Sequence, residues 1–93
     1  IPEDQIAEFC RRHGVARLAL YGSILRDDFR PDSDIDVLVE FLPGQRISLL
    51  DLGGMLMELR SMLGREVDLR TPQDLSQFFR RSVLRQARAL YAA

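Results

Sequence analysis

Tyr21-Gly22-Ser23-Ile24-Leu25-Arg26, followed after a polar turn by Ser33-Asp34-Ile35-Asp36-Val37-Leu38-Val39, sets the organisation of this chain. Val15 to Tyr21, just before it, is apolar, bounded by glycines and too short for a helix, so it reads as a buried strand. Gly22 ends that strand, and Ser23-Ile24-Leu25-Arg26 reads as the first turn of a short helix. Asp27 through Ser33, with Pro31 inside, reads as an exposed connection. Ile35, Val37 and Val39 then alternate with Asp34, Asp36 and Leu38, which predicts a second strand over Asp34 to Phe41. Its period of two places both aspartates on one face, with Cα atoms roughly 6.5–7 Å apart, close enough for their carboxylates to converge on one ion.

Upstream, Ile1 to Gly14 reads as an amphipathic helix: Pro2 suits the first turn, Glu3 and Asp4 suit the positive end of the dipole, and Gly14 suits the C-terminal cap. Ile6, Phe9 and Cys10 share its apolar face. His13, the single histidine, falls in the last turn with no sequence neighbour to pair with it as a base.

Downstream, Leu42-Pro43-Gly44-Gln45 breaks the chain and Ser48 begins a helix, with Asp51 in a capping-box position and Gly64 as the stop. Leu49, Leu52, Leu56, Leu59 and Leu63 form a stripe with Met55 and Met62 beside it, which predicts core. Gly53-Gly54 inside this helix costs about 1 kcal/mol per residue against alanine, so close helix packing is expected there. Glu66-Val67-Asp68-Leu69 reads as a third strand, with Asp68 on the face opposite Val67 and Leu69. Thr71-Pro72-Gln73-Asp74 is a strong helix start, and the apolar residues from Leu75 to Tyr91 fit one interrupted helix or two.

The 93 residues, 46% of them hydrophobic, suit a single domain spanning 1–93 with one small core. So small a core makes association with itself or another protein an expectation. A net charge of -1 removes any global pull toward nucleic acid or membrane. All thirteen basic residues are Arg, and Arg80, Arg81, Arg85 and Arg88 fit one stripe on a final helix, read as a solvated face rather than a nucleic-acid site. The single cysteine, Cys10, excludes an internal disulfide framework and fits a buried, inert thiol in a reducing compartment. No apolar run approaches the ~20 residues that span a bilayer, and a cytoplasmic location is expected.

The central stretch has the chemistry of a site for a metal-bound triphosphate. Gly22 lets the backbone approach phosphate, Ser23 and the following amides can donate to its oxygens, and Arg26 can add a bidentate contact. Asp34 and Asp36 are hard oxygen ligands for Mg²⁺, and Asp68 on a neighbouring strand supplies a third carboxylate, enough for two ions. A calcium loop of EF-hand type starting at Asp32 fails, because Val37 stands where its glycine belongs and Pro43 where its terminal Glu belongs. A Walker loop fails because no lysine follows the glycine.

Gly22-Ser23, ten residues, then Asp34-Ile35-Asp36 resembles the signature of the DNA polymerase β-like nucleotidyltransferase superfamily, in its minimal nucleotidyltransferase branch. Arg65 to Leu69 and Thr71 to Leu75 resemble the second half of the same family, so the likeness covers nearly the whole chain. The resemblance implies an α/β (α+β) fold, a small mixed sheet flanked by helices. It implies that Asp34, Asp36 and Asp68 are the catalytic, magnesium-binding triad, that Gly22 and Ser23 hold the triphosphate, and that Arg26 lies near it. It also implies a prokaryotic antitoxin that transfers AMP from ATP onto a tyrosine of a helical HEPN-type toxin. A binding module that masks the toxin without catalysis is the alternative. Leu25 and Asp27 depart from the Ala and Gly that the family often carries around its arginine.

Overall fold

The computed structural model describes residues 2–27 and 29–93; Ile1, at the head of the predicted first helix, and Asp28, inside the predicted connection, lie outside the described residues. Four strands, β1 (Val15–Tyr21), β2 (Ile35–Phe41), β3 (Val67–Arg70) and β4 (Arg88–Ala92), form one sheet in the order β3-β2-β1-β4. β1 runs antiparallel to both β2 and β4, while β2 and β3 are parallel, so the sheet is mixed as expected.

Register decides what each face carries. Leu18 pairs with Val39 and Leu20 with Val37, and these side chains point to the helical layer. That layer holds α1 (Glu3–His13) and α2 (Leu49–Leu63). Ile6, Phe9 and Cys10 of α1 and Met55 and Leu59 of α2 are buried against the sheet, all at 1% exposure or less. Burial pushes the Cys10 thiol up to about 11, which fits the inert role expected of it. α1 ends at Gly14, left-handed at φ 66°, whose N–H donates to the Cys10 carbonyl. α2 starts in the expected capping box: the Asp51 N–H donates to Ser48 Oγ at 3.0 Å and the Ser48 N–H to Asp51 Oδ2 at 2.9 Å.

Two expectations for α2 need correction. Leu49 is 86% exposed, because the apolar stripe reaches the core only from Leu52 onward. The close packing expected at Gly53 and Gly54 is also missing: a Cβ on either would meet no atom within 4 Å.

The C-terminal reading changes more. Thr71 to Asp74 forms its capping box, but only a 3₁₀ turn (Pro72–Asp74) follows, and the helix proper is α3 (Gln77–Gln86) with Ser76 as its cap. At Ala87 the backbone becomes extended, at φ -60° and ψ 139°, and the chain enters β4 rather than more helix. Leu90 and Tyr91 pack on the core from this strand. Helical and extended readings of Leu84 to Tyr91 are both locally acceptable, and the open edge of β1 selects the strand. The arginine stripe is therefore divided. Arg88 lies in β4, and Arg80 is tied back, donating from Nε to the Pro72 carbonyl at 2.7 Å and from Nη2 to the Leu75 carbonyl at 3.1 Å.

Gly53→Ala and Gly54→Ala should each stabilise the isolated chain by up to about 1 kcal/mol, since both replace an open, solvent-facing helix glycine. Thermal denaturation should show a rise of up to about 4–8 °C per substitution; an unchanged or lower midpoint would contradict the open packing of this face.

Candidate active site

The face of the sheet turned away from α1 and α2 carries the polar row. Tyr21 pairs with Asp36 across β1 and β2, and Asp36 pairs with Asp68 across β2 and β3. Cross-strand partners project to the same side, so one tyrosine and two carboxylates line up across three strands at one end of the sheet. Leu38, two residues along and on this same face, is 1% exposed, so the row adjoins a buried apolar position.

Asp36 is half-buried. Desolvation, then the charges of Asp68 and Asp34, push its carboxyl above the usual Asp value, while Arg70 and Arg26 pull it down. Asp34 stands immediately before β2 and is exposed, within electrostatic reach of Asp36. Asp68 is paired with Arg70, whose Nε lies 3.2 Å from both of its oxygens. Among the described residues, no three His, Cys, Asp or Glu side chains form a metal-holding group by themselves. A cation taken here would complete its shell from phosphate and water, the usual habit of Mg²⁺.

Gly22 joins the turn to this row. It is left-handed at φ 76°, and a Cβ there would run into Oδ2 of Asp36. Only glycine meets both demands. Gly22 to Leu25 form a 3₁₀ turn, as expected of the short helical segment, closed by the Arg26 N–H donating to the Ser23 carbonyl at 2.9 Å. Gly22, Asp36 and Asp68 are thus brought together, Asp34 borders them, and Ser23 and Arg26 belong to the adjoining turn.

Three residues that sequence reading passed over help to build the site. The Tyr21 phenol is pushed up to about 12 by burial first, then by Asp36 and Asp68, so it stays neutral beside the carboxylates. Its parity with Asp36 becomes visible only once the strands are paired. Arg70 was accessible from sequence, since i and i+2 share a face of a strand. Arg65 braces the loop before β2: its Nη2 donates to the Arg30 carbonyl at 3.0 Å and the Ser33 carbonyl at 2.6 Å, and its guanidinium lies 4.7 Å from the Phe29 ring centroid. His13, expected to lack a partner, instead sits 2.5 Å from Glu58 of α2, in the helical layer and not on the carboxylate face. No described helix is long and apolar enough to cross a membrane.

Comparison with known proteins agrees with this geometry. The nucleotidyltransferase domain family matches residues 3–90. The candidate protein adenylyltransferase MJ0435 of Methanocaldococcus jannaschii is 41% identical over 76 residues, covering 82% of this chain and 80% of that protein. Protein adenylyltransferase MntA of Thermococcus cleftensis is 35% identical over 81 residues, 85% of this chain and 78% of its own. In fold, the chain is similar to the MNT antitoxin solved with tri-AMPylated HEPN toxin of Shewanella oneidensis, with a TM-score of 0.67 at 22% identity over 98% of this chain and 70% of that one. A family match across nearly the whole chain, on a mixed sheet that sets a glycine turn against paired carboxylates, makes this protein a member of the nucleotidyltransferase domain family and an enzyme of nucleotidyltransferase type.

Proposed function

We propose that the protein transfers AMP from ATP to a tyrosine hydroxyl of a HEPN-type toxin and so acts as that toxin's antitoxin. The observation that carries the reading is the placement of Gly22 against Asp36, with Asp68 beside it in register. A phosphate-approaching turn and a pair of hard ligands within one contact suit a metal-bound triphosphate. The names of the adenylyltransferase relatives and the toxin-bound fold neighbour support the choice of AMP and of partner.

The residues fit magnesium. Asp36 is half-buried among like charges, which leaves negative charge that a divalent cation would neutralise. Asp36 and Asp68 would hold it, with Asp34 at the border, and two ions suit three carboxylates. Bound magnesium would supply charge neutralisation on the phosphates and acidify the acceptor hydroxyl. Gly22 and Ser23 hold the triphosphate and Arg26 adds charge beside it. The acceptor oxygen bonds to the α-phosphorus as the bond to pyrophosphate breaks, and the acceptor's proton passes to Asp68. Arg70 orients Asp68 for that task.

The Arg70–Asp68 pair also gives a second reading its footing, because it occupies a carboxylate that a metal would need. Under that reading the chain neutralises its toxin by binding alone. Asp34→Ala and Asp36→Ala proteins that still silence the toxin fully would favour it.

Labelled ATP, Mg²⁺ and the HEPN-type partner should yield a labelled partner, and Asp36→Asn should lower the rate by about 100-fold or more. No label with wild-type protein, or undiminished label with Asp36→Asn, would contradict the transferase reading. The same variant should be more stable. Because the folded state raises the Asp36 pKa, the native protein binds more protons than the unfolded chain, and stability falls as pH rises from the ordinary Asp range through the raised value. Asp36→Asn removes that penalty, so its midpoint at pH 7 should exceed wild type by a few degrees, under about 4 °C given solvent screening. The difference should vanish below about pH 3.5.

A further inference from the structure

On the side of the Gly22 turn away from β2, the structure holds a cavity of about 440 Å³ lined by Gly22, Ile24, Leu25, Arg26, Gln86 and Arg88. Strand order explains the convergence. β2 flanks β1 on one side, setting Asp36 opposite Tyr21, and β4 flanks it on the other, setting Arg88 opposite Leu20, two residues before the turn. Gly22 thus touches Asp36 and also lines a space whose far wall comes from the end of α3 and the start of β4.

The charge of this cavity is one-sided. Among the described residues, two guanidiniums and one carboxamide line it and no carboxylate does. The groove between α1 and α2, by contrast, sets Asp51 and Glu58 against Arg12. Among the described residues, no ion pair or side-chain hydrogen bond engages the Arg88 guanidinium. Gln86 uses one amide hydrogen toward Ser82 Oγ at 3.3 Å, which leaves its other amide hydrogen and its carbonyl oxygen. Arg88 and the remaining Gln86 amide hydrogen therefore face this space as donors, and arginine forks match phosphate oxygens two at a time.

We propose that Arg88 and Gln86 complete a polyphosphate-binding cavity on the β4 flank of the Gly22 turn, and that its occupant is the terminal phosphates of the nucleoside triphosphate. The assignment rests on the transferase reading for the identity of the nucleotide. It divides the substrate between two regions of opposite sign. The α-phosphate end meets the carboxylate row, and the β- and γ-phosphates meet Arg26, Arg88 and Gln86. When the bond from the α-phosphorus to its bridging oxygen breaks, the charge that develops is on pyrophosphate, and Arg88 is a positioning and charge-stabilising residue for that leaving group. Ile24 and Leu25 supply the apolar wall, so the bulk of Leu25, a departure from the family pattern, shapes this cavity.

The test is calorimetric titration of the full chain with sodium tripolyphosphate, without divalent cations so that the carboxylate row contributes no bound metal, and with ATP and AMP in parallel. Wild type should bind tripolyphosphate, and Arg88→Ala should bind both tripolyphosphate and ATP about 10-fold more weakly while AMP affinity stays within about 2-fold. Arg88→Lys should recover part of the loss, and circular dichroism should show both variants folded, because Arg88 is exposed on an edge strand. Equal tripolyphosphate affinity for wild type and Arg88→Ala would overturn the proposal, as would no tripolyphosphate binding by wild type. Asp36→Asn separates the two claims: it should keep tripolyphosphate binding and lose transfer. No transfer by wild type that still binds tripolyphosphate would dispose of the transferase reading and leave the cavity assignment standing.

Discussion

The pairing of Tyr21 with Asp36 across β1 and β2 fixes the site, because it brings the Gly22 backbone against a carboxylate oxygen. The pairing is held from the other face of the sheet. Leu18 opposite Val39 and Leu20 opposite Val37 are buried under Phe9, Met55 and Leu59, so a slip of one residue would turn Asp36 into that core. An unpaired carboxylate there would cost several kcal/mol, on the order of the whole stability of a small domain. Hydrophobic packing on one side of the sheet thereby sets the polar geometry on the other. The parallel step from β2 to β3, with α2 as its crossover, adds Asp68 beside Asp36.

The site works against the stability of the chain that carries it. Asp36 is held half-buried near two like charges, and Gly22 occupies a left-handed conformation that other residues adopt at a cost. Arg70, Arg65 and the capping boxes at Ser48 and Thr71 offset part of this by fixing neighbouring segments. The exposed Gly53-Gly54 pair and the neighbouring Leu49, Leu50 and Met57 of α2 leave the helical layer less stable than its length allows. A chain balanced in this way depends on its register, not on surplus stability, to keep the acidic row in place.

Much of this was legible in the sequence because its signals are local. Alternation over Ile35 to Val39 placed Asp34 and Asp36 on one face, and β1 was recovered with its observed bounds. The Ser48–Asp51 and Thr71–Asp74 boxes were visible as spacings. What escaped depended on tertiary partners. β4 exists because β1 has an open edge, and a helical period fits Leu84 to Tyr91 equally well until that edge is known. Leu49 continues the α2 stripe by spacing, yet the helix joins the core only from Leu52 onward. Tyr21 and Arg88 join the site through register with Asp36 and Leu20, and no spacing along the chain encodes that.

The most direct measurement is a crystal structure of the protein with magnesium and a non-hydrolysable ATP analogue. The account predicts metal density contacted by both Asp36 and Asp68, with phosphate oxygens on the Gly22–Ser23 turn. Nucleotide bound away from that turn, or metal that engages neither Asp36 nor Asp68, would contradict it.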